Sequence, residues 1–171
     1  LGRLGVDYIE GGWPGSNPKD LAFFERIGDR DVGPSQIVAF GSTRRADAKP
    51  ADDFNLKALL QANVGVCCLV AKGWDFHVTE ALGITLDENL VLVADSIAFL
   101  KDKGQRVFLD AEHFFDGFKA NPDYAMRVIG VSAEAGAECV ILCDTNGGTL
   151  TSDPGRTVEA ARPPHPAPSG I

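Results

Sequence analysis

Apolar residues along the 171-residue chain gather in short runs. VDYIE covers 6–10, QIVAF 36–40, VGVCCLV 64–70, RVFLD 106–110 and ECVILCD 138–144. The runs are rich in β-branched and aliphatic residues and alternate little with polar ones, which is how strands buried on both faces read. Between them lie helical signals. Ser16-Asn17-Pro18 sets a capping residue before a proline suited to the first helical position. Asp52 and Asp53 precede Phe54, Leu56, Leu59 and Leu60, which fit one helix. Thr85-Leu86-Asp87-Glu88 is a capping box. Leu86, Leu90, Val93, Ile97 and Leu100 then form a stripe at helical spacing. Asn121-Pro122 opens another helix, expected to run to about Ala135 and to end at Gly136. Strands and helices alternating at about 30–40 residues predict βα units on a parallel sheet of five strands.

Two α/β architectures accept such units. One is an open, doubly wound sheet; the other is part of a (β/α)8 barrel. Both place functional groups at the carboxyl ends of strands. The stretch 151–171 changes character: it holds five of the ten prolines and little apolar periodicity. It is expected to lack regular structure and to provide no further strand. The reading therefore divides the chain into a domain over 1–150 and a proline-rich tail over 151–171. The first residue is Leu1, and the first few already read as a helix end and a strand, so the N-terminus is expected to be a cut.

Composition narrows the function. The formal net charge is −8, which argues against a nucleic-acid or anionic-membrane surface, since both need clustered Lys and Arg. No run approaches the roughly 18 apolar residues of a membrane span. The four cysteines, Cys67, Cys68, Cys139 and Cys143, sit in apolar runs and read as small buried hydrophobes. Cys139 and Cys143 have a spacing compatible with zinc, but an extended strand would not converge them. With no disulfide framework, a reducing cytoplasm is the expected compartment.

Every predicted strand ends in polar residues. The first is followed by Glu10-Gly11-Gly12-Trp13-Pro14, the second by Gly41-Ser42-Thr43-Arg44-Arg45 and the third by Lys72-Gly73-Trp74-Asp75-Phe76-His77. The fourth gives Asp110-Ala111-Glu112-His113 and the fifth Asp144-Thr145-Asn146-Gly147-Gly148. Singly, each has a plain alternative. Glu10 and Glu112 read equally as solvated strand ends, His77 as a helix-start histidine, Arg44-Arg45 as a solvated pair, and Phe114 and Phe115 as packing residues. The glycines serve tight turns first, and none matches a dinucleotide or Walker pattern. Five polar ends converging at one face of a parallel sheet read as an active-site mouth. A two-carboxylate glycosidase would also use such a rim, but the chain has little of the aromatic platform that sugars favour.

The segments LGVDYIEGGWPGSNPKD, AFGSTRR, KGWDFHVTEALG, DAEHFFDGFKANPDYA and AGAECVILCDTNGGTL resemble the citramalate synthases in unbroken order over about 1–150. These belong with the 2-isopropylmalate and homocitrate synthases, in a wider group that includes 3-hydroxy-3-methylglutaryl-CoA lyase. GGWPGSNPKD and DAEHFFDG are specific to the citramalate branch. The resemblance implies a partial (β/α)8 barrel, strands two to six of eight. It implies an acyltransferase that condenses acetyl-CoA with pyruvate in a Claisen-type reaction, on the way to isoleucine. A divalent metal (Mg, Mn or Zn) and a homodimer are implied for the full-length enzymes.

Residue by residue, the resemblance gives Glu112 the position of the strand-end glutamate in the catalytic centre. It gives Thr145 that of a threonine bonding the keto-acid carboxylate, and His77 that of a pocket histidine. Glu10 matches an acid near the reacting groups, and Asp110 a pocket-lining position. Asp144 is a weaker match that would order its loop. The family's Arg-Asp-Gly motif, whose Asp binds the metal, is not among these residues. Nor is its His-x-His-Asn-Asp motif, whose histidines bind it; His165 stands alone in the tail. No metal ligand is therefore assigned within this chain. CLVAKGWDFHV also departs from the more usual Phe-Gly-Lys-Ser-Trp run. An open section of a barrel has unpaired edges, so the isolated chain is expected to be marginally stable and inactive. Two alternatives stay open: a related enzyme using another 2-keto acid or acting as a lyase, and a non-catalytic domain that binds an acyl-CoA or a partner.

Overall fold

The computed structural model describes residues 1–28, 30–150, 154–161 and 169–170. After a 3-10 turn at Gly2–Leu4 come β1 (Tyr8–Glu10), α1 (Pro18–Ile27), β2 (Gln36–Ser42), α2 (Phe54–Gln61) and β3 (Val66–Lys72). A short turn, α3 (Asp75–His77), runs into a π-helical turn at Val78–Leu82. Then follow α4 (Leu86–Asp102), β4 (Arg106–Glu112), α5 (Phe114–Ala120), α6 (Pro122–Glu134), β5 (Cys139–Leu142), α7 (Pro154–Ala161) and β6 (Ser169–Gly170).

The strands are parallel and lie in sequence order, β1 to β6. A doubly wound sheet reverses its order at a switch point and carries helices on both faces. Here α1, α2, α4, α5, α6 and α7 all pack with one strand face, through residues such as Phe24, Leu59, Val93, Ile97, Phe114 and Val128. That face presents Ala39, Cys67, Leu69, Val107, Leu109 and Ala111. The other face carries a small cluster of Val38, Val66, Cys68 and Phe108, with Phe40, Cys139 and Ile141 against it and no helical residue. Consecutive order with helices on one side is the winding of a half-barrel.

The capping chemistry places the helices. Asn17 accepts a hydrogen bond from Asp20 N at 3.0 Å, with Pro18 at the first helical position. Asp53 accepts from Leu56 N at 3.0 Å. Thr85 and Glu88 form the reciprocal capping box, and Asn121 accepts from Tyr124 N at 3.1 Å.

Two elements depart from the sequence reading. Phe114–Ala120 is a helix in its own right, and Phe114 and Phe115 are buried in the main core, the packing role expected of them. Within 151–171, Pro154–Ala161 is helical and Ser169–Gly170 pairs with β5. Pro154 opens its helix, where the missing N–H costs nothing, and Val158 and Ala161 reach the core. The remainder of the tail, including His165, lies outside the described residues. Cys143 falls just past β5, and no disulfide joins the four cysteines.

The helix-free face is tied at its amino end. The Arg106 guanidinium pairs with Glu138 and donates to Gln36 Oε1 at 2.9 Å and to Tyr8 Oη at 2.9 Å. It also lies over the Tyr8 and Phe108 rings. Four strand ends are clamped together there, leaving the carboxyl ends for chemistry.

Candidate active site

Side chains alternate along a strand. In β4 this puts Arg106, Phe108, Asp110 and Glu112 on the helix-free face, while Val107, Leu109 and Ala111 face the helices. The acids that stand out in the sequence are thus the carboxyl-terminal continuation of one buried stripe.

Two groups form on this face. In the first, Glu10, Cys68 and Asp110 bring their ligand-type atoms within 4.8 Å of one another. Cys68 Sγ donates to Asp110 Oδ1 at 3.4 Å. Burial pushes the Asp110 pKa up. Burial, and then the charge of Asp110, push Glu10 up as well. The Cys68 thiol is raised by burial and by both carboxylates, so it stays protonated and is a donor rather than a nucleophile.

The second group lies at the strand tips. Lys72 and Glu112 are register partners in β3 and β4 and form an ion pair. His77 stands beside Trp74 and meets His113 edge-on, with ring centroids 4.4 Å apart. Partial burial, followed by the charges of His113 and Lys72, pushes the His77 pKa down, so its imidazole is neutral at pH 7. Thr145 Oγ1 accepts from His113 N at 2.9 Å. Its own proton remains available to an acceptor in the mouth. Asp144 accepts from Thr149 N and Oγ1, both at 3.0 Å, and so orders the DTNGG loop.

Close backbone approach brings these tips together. Gly73 N donates to Glu112 O at 3.0 Å. A Cβ on Gly117 would lie 2.4 Å from Gly73 O, so only glycine lets α5 rest on the β3–α3 loop. Beside Glu112, a cavity of about 420 Å³ is lined by Trp13, Arg45, Val70, Lys72 and Leu92, among others. Another hollow, of about 530 Å³, is lined by Lys19, Ala22, Phe23, Arg26, Ile27 and Arg30, with no acid among its described lining residues.

Glu10 and Asp110 therefore share one group, and Glu112, His77 and Thr145 the other. Arg44 is neither a solvated cation nor an anion clamp. Its guanidinium pairs with Asp95 at 2.6 Å and donates to Ala48 O at 3.0 Å. Arg45 is largely exposed. The sequence reading took Cys68 as a buried hydrophobe and Lys72 and His113 only as parts of polar strand ends. Strand register supplies Lys72, and alternation supplies Cys68. His113 carries the signal of a left-handed backbone, φ 53°, which only the structure displays.

The HMGL-like family model matches residues 1–162. The chain is 53% identical over all of its 171 residues to an (R)-citramalate synthase of Geobacter sulfurreducens, covering 32% of that protein. It is 56% identical over 151 residues, 88% of its length, to an (R)-citramalate synthase of Streptomyces coelicolor, covering 28% of that protein. It thus spans about a third or less of the curated relatives it matches. Among solved structures, hydroxymethylglutaryl-CoA lyase from Pseudomonas aeruginosa superposes with TM-score 0.72 at 20% identity, over 94% of this chain and 53% of the lyase, a likeness of fold. No helix among the described residues is long and apolar enough to cross a membrane. With the family model spanning nearly the whole half-barrel, this chain belongs to the HMGL-like family.

Proposed function

We propose that the chain is part of a citramalate-forming acyltransferase. The reaction removes a methyl proton from acetyl-CoA, joins the resulting carbanion to the keto carbon of pyruvate and hydrolyses the thioester. The observation that carries this reading is the convergence of Glu112 and His77 with His113, whose backbone N–H donates to Thr145 Oγ1, at the strand tips, in a chain 53% identical to an (R)-citramalate synthase.

Glu112 is the group placed to take or hold a proton, with Lys72 fixing its carboxylate. His77, a neutral imidazole, is able to donate or accept at the reacting centre. The Thr145 hydroxyl points the chemistry of a donor at a keto-acid carboxylate. Glu10 and Asp110 line the deeper face, where raised pKa values let one of them hold a proton. The divalent metal expected in the full-length enzyme (Mg, Mn or Zn) supplies a Lewis acid for the keto carbonyl when bound. The acidic and imidazole donors on this face fit a cation-bearing site, but the family's own metal ligands are not among the 171 residues. No turnover is therefore expected of this chain by itself. The whole enzyme is read as a cytoplasmic homodimer acting on acetyl-CoA and pyruvate.

The test is CoA release by the full-length gene product from acetyl-CoA with pyruvate, 2-oxoisovalerate or 2-oxoglutarate. Preference for pyruvate supports the reading. Preference for another keto acid moves the enzyme to a neighbouring branch. Acyl-CoA binding without turnover would make it a binding domain.

A further inference from the structure

Successive strand residues point to opposite sides of a sheet. His113 follows Glu112, the last residue of β4, and leaves that alternation. His113 has φ 53° and ψ 34°, a left-handed conformation that non-glycine residues rarely adopt. It lets the imidazole share a side with the Glu112 carboxylate. His77 reaches the same place from α3, and one donor atom from each of the three lies within 4.8 Å of the others. His113 Nδ1 is buried and has no hydrogen-bond partner among the described residues. Asp116 Oδ2, at 3.6 Å, is too far to be one. A buried polar atom without a hydrogen-bond partner and a left-handed backbone coincide at one residue.

We propose that His77, Glu112 and His113 form a binding site for a divalent cation of the zinc class, with its fourth position open. Two imidazoles and one carboxylate are the donor set of open tetrahedral zinc sites. Imidazole selects zinc, cobalt or nickel over magnesium and calcium. The ion gives the orphaned nitrogen a partner. Lys72 bonds Glu112 through Oε2, which leaves Oε1 for the cation. Ligand atoms on a tetrahedral ion sit about 3.4 Å apart, as bonds of about 2.1 Å require, so the three side chains close inward on binding.

The site is separate from the aspartate and paired histidines that the family resemblance assigns to its metal, and it does not depend on the condensation reading. Occupancy withdraws Glu112 from proton transfer, so the cation acts as an inhibitor of any chemistry Glu112 performs.

The experiment is titration with Co²⁺, then Zn²⁺, of the chelator-stripped 171-residue chain, or of the same residues within the full-length enzyme with its family metal site already filled if the short chain does not fold. The expected result is the visible absorption of tetrahedral Co²⁺ at one equivalent, abolished by Zn²⁺. His113→Gly and His77→Gln should each weaken binding about 100-fold, while Cys68→Ser leaves it unchanged. Glycine accepts the left-handed backbone, so His113→Gly removes the ring and keeps the turn. A chain folded by circular dichroism that gives no Co²⁺ absorption overturns the proposal. So does absorption that survives both histidine variants, or that is lost only in Cys68→Ser.

Discussion

Lys72 and Glu112 stand opposite one another at the last register positions of β3 and β4 and form an ion pair across the helix-free face. Each side chain is about a quarter exposed, so the pair is shielded enough to hold one geometry. In the full-length enzyme, Glu112→Gln keeps the shape and removes the base. It should lower kcat/KM by about 10²- to 10⁴-fold with an unchanged circular dichroism spectrum. Lys72→Met leaves the acid but not its anchor, and should cost about 10-fold. Steady-state CoA release measures both, and equal losses would mean that Lys72 does more than hold Glu112.

Asp110 is an acid kept where its charge is disfavoured. Burial raises its folded-state pKa above the ordinary 3.8. A raised pKa contributes stability that is fully present below the unfolded value and is lost as pH rises through the folded one. Asp110→Asn should therefore raise the thermal midpoint at pH 7, and the gain should shrink to nothing near pH 3. A gain that is the same at both pH values would exclude the ionisation as its source.

Asp53 is fully buried, and its two oxygens take different partners. Oδ1 accepts from Leu56 N and Oδ2 from Arg45 N, each at 3.0 Å. Asp53→Ala loses the α2 cap and strands two N–H groups, and should cost about 2–3 kcal/mol. Asp53→Asn keeps one acceptor and should cost less. Urea midpoints of the two variants give the comparison.

Gly117 is where α5 touches the β3–α3 loop. An added Cβ would lie 2.4 Å from Gly73 O and 2.9 Å from Trp74 Cα. Gly117→Ala must part the loops carrying His77 and Glu112, at about 1–3 kcal/mol. Gly28→Ala meets nothing within 4 Å and is the control. In the full-length enzyme, only Gly117→Ala should also lose turnover.

Much of the frame was legible because its causes are local. Asn17, Asp53, Thr85 with Glu88, and Asn121 cap helices through backbone N–H groups three residues away, so their signals survive in one dimension. The helix Phe114–Ala120 was hidden because it has no capping side chain and begins at a left-handed histidine. The helix Pro154–Ala161 was hidden by the prolines that follow it. Neither Lys72 nor Cys68 announced itself, since a lysine and a cysteine in apolar runs look like a strand end and a core residue.

The sequence by itself determined the alternation of strands and helices, the helix starts and the polar strand tips, because propensity, capping and side-chain alternation act within a few residues. The tertiary structure decided what those tips become. Strand order with one-sided helices chose the half-barrel over a doubly wound sheet. Register set Lys72 against Glu112. The left-handed turn at His113 set its ring beside Glu112 at the end of β4, and α3 brought His77 to the same point. Those are long-range distances, and they arise from packing that no single segment encodes.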